Sequence, residues 1–218
     1  MSRGLALPAI VLLAVSSVAC VPWTVRKIDS AESATASGAT VTPAAYVNSL
    51  WSAKLLPAIE NSAVDARTFL DVYAKSPQDA LSRWGRRDAG GPVYLSLKGE
   101  GRVLNVDTKS KAGLALVDVA PFDGKPDVTI QIGPVLRGTS LRDTTGLIRF
   151  TDFVNQLQFA DVANELNDRV LKTVLAPLAP TTLAGKVVSF AGTASAQPDS
   201  APPVRELVPV RLAIQEAR

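Results

Sequence analysis

The sequence contains no histidine and only one cysteine among its 218 residues. Without histidine there is no Ser-His-Asp triad, no Cys-His pair and no imidazole ligand for a metal. A single cysteine excludes an internal disulfide, a CxxC redox pair and a cysteine zinc site. The sequence therefore predicts no metal site and no cofactor, and it lacks the commonest catalytic machinery.

A large excess of one charge is also missing. The chain has 23 Lys and Arg residues against 20 Asp and Glu residues, a formal net charge of +3, with no run of five like charges. Such a small and scattered excess does not form the basic surface that binds polyanions. We therefore expect no nucleic-acid partner.

The amino terminus, residues 1–20, reads MSRGLALPAIVLLAVSSVAC. Its uncharged apolar stretch, residues 5–19, is short for a membrane span and typical of a signal peptide. The final residues resemble a bacterial lipobox ending in Cys20, although Ser17 stands where leucine is usual. We predict a signal peptide over residues 1–19 and a lipid on Cys20, which would anchor the exported protein on the periplasmic side of a bacterial membrane. A plain secreted protein and an uncleaved anchor are the alternatives.

Residues 20–42 carry the cysteine and then become small and polar, which predicts a flexible tether. Residues 43–91 show helical spacing of apolar side chains and form a predicted helical region. Thr42-Pro43 and Ser76-Pro77 are helix starts, each a capping residue followed by proline, and Pro57 is expected to end or bend the first helix.

Residues 92–218 alternate between apolar and polar side chains, as β-strands do. The predicted fold class is α+β: an N-terminal helical region followed by an OB-fold-like five-stranded β-barrel with a long helix between strands 3 and 4. A generic α+β sandwich is the alternative. The predicted strands cover residues 93–106, 114–119, 127–132, 186–190 and 207–214, and the helix follows a cap at Thr151 or Asp152.

Residues 131–168 read QIGPVLRGTSLRDTTGLIRFTDFVNQLQFADVANELND, and GKVVSFAG follows at residues 185–192. These segments resemble a bacterial family of predicted periplasmic lipoproteins of unknown function, and the resemblance extends over roughly residues 20–214. Members of that family are often encoded beside sugar ABC transporters. The resemblance thus implies an auxiliary role in the envelope and supplies no reaction.

The irregular segment Gly133 to Asp143 holds the first candidate binding residues. Two arginines with neighbouring hydroxyls can grip a carboxylate, a phosphate or sugar hydroxyls. The alternative is an ion-pair network that only orders the loop. The candidates are Arg137, Thr139, Arg142 and Asp143.

The long predicted helix holds the second group. Its amides and carboxylates could form a polar ridge that faces a groove or a partner, and a solvated face is the alternative. The spacing is not that of an EF-hand, so no metal is expected there. The candidates are Asn155, Gln156, Asp161, Asn164 and Asn167.

Together these features predict a non-enzymatic binding or interaction module, held at the membrane by its N-terminal lipid. The expected partners are sugar ABC transporter subunits, a solute-binding protein or a small sugar. One alternative is an envelope enzyme that acts on carbohydrate through carboxylates, although nothing in the sequence places a pair such as Asp118 and Asp123 across a cleft. Another is a purely structural envelope lipoprotein.

Overall fold

The computed structural model describes residues 41–87, 91–198 and 200–215. The predicted signal peptide, Cys20 and the tether as far as residue 40 lie outside the described residues. From Val41 onward the chain forms one compact unit.

Of the two outcomes predicted at Pro57, an end or a bend of the first helix, the end does not occur. Helix α1, Pro43–Leu50, passes through a π-helical turn, Trp51–Leu55, into helix α2, Leu56–Ser62. In the π-turn each N–H bonds to the carbonyl five residues earlier, whereas in an α-helix it bonds to the carbonyl four residues earlier. The hydrogen-bond spacing has therefore already changed just before Pro57, which has no N–H to donate. The helix therefore continues past the proline.

Two further helices complete the helical region. Helix α3 spans Ala66–Lys75 and helix α4 spans Pro77–Trp84. Ser76 separates them, and its hydroxyl accepts the Asp79 N–H at 3.3 Å. This confirms the predicted cap followed by proline at the first helical position.

The predicted strands are all present, and the structure adds two short ones. Strand β1, Val64–Asp65, follows helix α2, and strand β2, Arg86–Arg87, follows helix α4. Both pair with the long strand β3, Val93–Asp107. Within the described residues the number of strands is thus seven and not five. The others are β4 Leu114–Val119, β5 Val128–Gln131, β6 Val187–Ala196 and β7 Val204–Ile214.

The strands form one mixed sheet in the order β1-β3-β4-β5-β7-β6. Strand β3 pairs with β4 on one side and with β6 on the other, so the pairing path returns to β3. In the closed path β3-β4-β5-β7-β6-β3, only the pair β5 and β7 is parallel. Gly101 allows the close approach of β3 and β4, since a Cβ there would lie 2.4 Å from Cγ1 of Val117.

The long helix follows β5, as predicted, but begins later. Helix α6 spans Gln156–Val170 and continues as a π-turn over Leu171–Leu175. Asp152 does not cap it, because its carboxylate accepts the Arg149 N–H within a 3-10 turn, Phe150–Asp152. Asn155 is the cap instead.

A single hydrophobic core joins the helical region to the sheet. It includes Leu55 and Phe69 from the helices, Leu97 and Phe190 from the strands, and Leu166 from α6. All of these side chains are buried. The sheet therefore places α6 and the segment before it on a fixed scaffold.

Candidate functional site

The Gly133 to Asp143 segment is held against the sheet by Gln131, a buried residue at the end of β5. Its Nε2 donates to the carbonyls of Arg137 and Glu206, at 3.0 and 3.1 Å, and its Oε1 accepts the Arg137 N–H at 2.7 Å. Sequence reasoning missed Gln131. The sequence did contain a signal: Gln131 is a polar residue that directly follows the apolar strand positions Val128 and Ile130.

The hydroxyls of the segment are also used internally. Helix α5, Ser140–Asp143, begins after Thr139, whose Oγ1 lies 3.1 Å from the hydroxyl of Tyr94 on β3. Ser140 is buried and exchanges hydrogen bonds with Thr193 on β6, donating to its carbonyl at 3.3 Å and accepting from its hydroxyl at 3.0 Å. These contacts fasten the segment to two strands.

Arg142 and Asp143 form a bidentate ion pair, with N–O distances of 2.7 and 3.1 Å. Their side chains are only 11% and 12% exposed. Nη1 of Arg142 also donates to the Phe159 carbonyl at 3.0 Å, and the guanidinium lies 3.7 Å from the centre of the Phe159 ring. The pair therefore connects α5 to α6, and most of the guanidinium is already occupied. Arg137, by contrast, has an exposed side chain.

The predicted polar residues of α6 do not form one continuous ridge. Asn155 caps the helix, its Oδ1 accepting the Gln158 N–H at 2.9 Å, and Gln156 is exposed in the first turn. Asp161 is half-buried. Asn164 and Asn167 lie at least eight residues further on than Gln156, about 12 Å along the axis.

Asn164 and Asn167 meet the irregular segment in a groove of about 230 Å³. Asn167 is buried, and its Nδ2 donates to the Gly138 carbonyl at 3.1 Å, whereas Asn164 is exposed. The polar side chains of the lining come from α6, and the aliphatic ones come from the irregular segment and from Leu171 in the π-turn that continues α6. The lining residues are Pro134, Val135, Leu136, Asn164, Asn167, Asp168 and Leu171.

The close approach of the segment to α6 needs a glycine. Gly133 has a φ of +75°, and a Cβ on it would lie 2.8 Å from Cδ2 of Leu171. A side chain at this position would strain the backbone and displace the end of the Leu171 side chain, which lines the groove. The groove therefore depends on this glycine.

The carboxylates Asp118, Asp123 and Asp127 lie in and beside the turn between β4 and β5. Asp118 is buried; its Oδ2 accepts the Gly124 N–H at 2.8 Å, and its Oδ1 has no hydrogen-bond partner among the described residues. Burial raises the pKa of Asp127, the bond from the Val119 N–H lowers it, and the charges of Asp118 and Asp123 raise it further. Asp123 is exposed and lies 3.6 Å from Nζ of Lys125. Because Asp118 is buried, it does not face a surface cleft.

No group of three or more potential metal ligands occurs within the described ranges. In the same part of the chain, no helix is long and apolar enough to cross a membrane.

Exposed apolar side chains cluster before and in the first turn of α6, a feature that sequence reasoning missed. We call Leu147, Phe150, Val154 and Leu157 the apolar patch; they are 39%, 52%, 76% and 69% exposed. The available signal was that Val154 and Leu157 lie outside the apolar stripe of the helix, which starts at Phe159.

A comparison with known protein families bears on the location predicted from the sequence. A family model described as predicted periplasmic lipoprotein (DUF2291) matches residues 9–213. The chain belongs to this family. This lipoprotein is accordingly exported and lipid-anchored on the periplasmic side, which confirms the predicted location. No curated protein matches it significantly.

Among solved structures, the lipoprotein is similar to an OB-fold protein from Thermotoga maritima, with a TM-score of 0.62. The similarity covers 79% of this chain and 98% of the other, at 20% sequence identity. Similarity at this identity reports on fold alone. It supports the α+β, OB-like class predicted from the order of elements.

Proposed function

We propose that this lipoprotein is a non-enzymatic accessory of the envelope that assists a sugar ABC transporter. The groove between α6 and the Gly133 to Asp143 segment is its contact point for a small sugar, a transporter subunit or a solute-binding protein. Lipid on Cys20 holds the protein at the membrane. The groove is the observation that carries this proposal.

The chemistry of the groove supports a hydroxyl-rich ligand. Asn164 offers an amide donor and acceptor, and Asp168 offers a carboxylate, both exposed along one wall. Val135 from the segment and Leu171 from the π-turn that continues α6 add apolar surface, which suits the C–H face of a sugar ring. Binding sites of this kind combine apolar surface with a few polar groups that set orientation.

The size of the groove supports a small occupant. Pockets that enclose drug-sized ligands measure about 300 to 1,000 Å³, and this groove measures about 230 Å³. It suits one sugar unit, or one side chain that projects from a partner protein.

The fold supports a binding role of the same kind. We infer that the five long strands close as an OB-type barrel, since β3 pairs with both β4 and β6 and β5 runs parallel to β7. Such barrels bind ligands on an outer face or through their loops. The buried Asp118 gives no support to the carboxylate-enzyme alternative.

Thermal unfolding of the detergent-solubilised lipoprotein, measured with pentoses, hexoses and polyols, tests the sugar ligand. A ligand that binds the native state should raise Tm in a saturable manner. Asn164→Ala should abolish that rise, and the control Gln156→Ala, also an exposed amide on α6, should retain it. A flat response in all three sugar classes would argue against a sugar ligand.

Pull-down from native membranes tests the partner. The wild-type lipoprotein should recover transporter subunits or a solute-binding protein, and Asp168→Ala should recover fewer. Absence of such subunits in repeated experiments would contradict the transporter role. Cys20→Ser should release the protein from the membrane; continued attachment would show that the lipid is not on Cys20.

A further inference from the structure

The apolar patch holds four of the eight large apolar side chains that are exposed among the described residues, all within positions 147–157. Val154 and Leu157 are more than two-thirds exposed, and Leu147 and Phe150 flank them. Contiguous apolar side chains in water are unfavourable, so they mark surfaces that contact something else.

The patch is preformed, because its base is rigid. The carboxylate of Asp152 accepts the Arg149 N–H at 3.0 Å and fixes the turn that carries Phe150. The rings of Phe150 and Phe153 both pack against Phe159, each with a centroid distance of 5.6 Å. The outward side chains are therefore presented by a fixed aromatic base.

The described chain begins a few residues from a contact with the aromatic base of the patch. The ring of Tyr46, in α1, packs edge-on against Phe153 with a centroid distance of 5.0 Å. Val41 is five positions earlier in the chain and is itself 59% exposed. The first described residue is thus five positions from a ring that packs against this base.

The number of residues before Val41 limits how far the body can lie from the bilayer. Residues 21–40 separate Cys20 from Val41. Twenty residues span at most about 70 Å when fully extended. Contact between the patch and the bilayer is then an intramolecular event at high effective concentration.

We propose that the apolar patch is a membrane-contacting surface, which inserts between the headgroups and acyl chains of the bilayer that holds the lipid anchor. Exposed Arg149 lies between Leu147 and Phe150 in sequence and can pair with a headgroup phosphate. The proposal rests on the lipid-anchored location and is independent of the groove. It orients the body, with the start of α6 toward the lipid.

Fluorescence of the full-length lipoprotein in vesicles of phosphatidylethanolamine and phosphatidylglycerol tests this inference. Cys20 is the only native cysteine and is predicted to be acylated, so Leu157→Cys provides a single reactive thiol for an environment-sensitive dye. Phe122→Cys is the matched control, an exposed aromatic outside the patch. Lipids brominated in the acyl chain should quench the dye at 157 several-fold more strongly than the dye at 122.

A second substitution separates insertion from misfolding. Val154→Asp, introduced at an exposed position of the labelled protein, should abolish the quenching, and Ala213→Asp, exposed on β7, should leave it intact. Equal quenching at 157 and 122 would overturn the proposal. A blue shift of the dye at 157 without quenching would also overturn the proposal, because it indicates that the chain itself covers the patch. A blue shift that grows with protein concentration would overturn it too, because it indicates self-association.

Discussion

The two ends of α6 present opposite chemistry on one continuous helix. At the N-terminal end, Val154 and Leu157 expose apolar side chains above an aromatic base. At the C-terminal end, Leu166 is buried, and Asn164 and Asp168 face the groove. The apolar side chains of the helix are thus split between a core stripe and an outward surface.

The difference shows that polarity alone does not identify a binding residue. Arg142 and Asp143, in α5 beside the first turn of α6, are charged but already satisfied by each other and by Phe159. Asn164 is uncharged but exposed to a groove. A polar group is available to a ligand only where the fold has not used its hydrogen bonds.

The largest expected effect on stability comes from replacing leucine with alanine, which can be done at each end of α6. Leu166→Ala should lower the free energy of unfolding by about 4 kcal/mol, because it leaves a cavity in the core. Leu157→Ala should lower it by less than about 0.5 kcal/mol. Urea denaturation measures both, and similar losses would contradict the division of the helix into a buried and an exposed end.

Removal of the contact between α5 and α6 should have the next largest effect. Arg142→Ala should destabilise the protein by about 3 kcal/mol, because it leaves the carboxylate of Asp143 buried and unpaired. The control Arg137→Ala removes an exposed arginine from the same segment and should cost less than about 0.5 kcal/mol. If thermal melts rank the two variants equally, the ion pair does not stabilise the fold.

The cap at the N-terminal end should contribute less. Asn155→Ala removes the acceptor of the Gln158 N–H and should cost about 1 kcal/mol, and Asn155→Ser should recover most of it. Gln156→Ala, one residue later, should have almost no effect. Hydrogen exchange of the first-turn amides locates the change, and unchanged protection in Asn155→Ala would exclude the cap.

The smallest expected effect depends on pH and concerns the aromatic base of the patch. Burial, and then the charge of Asp152, raise the pKa of Tyr46, while Arg149 lowers it. As pH rises above about 10, the Tyr46 hydroxyl therefore ionises in the unfolded chain before it ionises in the folded protein. The contribution of Tyr46 to the free energy of unfolding falls above that pH. Because the ring is partly exposed, the loss should be below about 1 kcal/mol.

The control for this pH dependence is Tyr46→Phe, which keeps the ring and removes the ionisable hydroxyl. The variant should lose stability less steeply than the wild type above pH 10, as measured by denaturation at a series of pH values. Parallel curves would show that Tyr46 does not contribute.

Much of the fold could be predicted, because its signals are local. The alternation over β3 and β4, and the cap at Ser76, depend on residues close together in sequence. The start of α6 was predicted wrongly, since Thr151, Asp152 and Asn155 are all plausible caps and only the 3-10 turn decides between them.

The site could be predicted only in part, because its contacts are not local. Asn167 bonds to Gly138, 29 residues away, and Ser140 bonds to Thr193, 53 residues away. No spacing rule identifies such partners, which explains why Gln131 was missed. The apolar patch was missed for the same reason, since exposure depends on what packs nearby.

The sequence by itself determined the location of this protein and its class of fold. Both are properties of contiguous segments: an apolar leader that ends in a cysteine, and a regular alternation of side chains. Only the tertiary structure decided which polar residues are free to bind and which apolar ones stay in contact with water. Those outcomes depend on burial and on hydrogen-bond partners that folding brings together from distant parts of the chain.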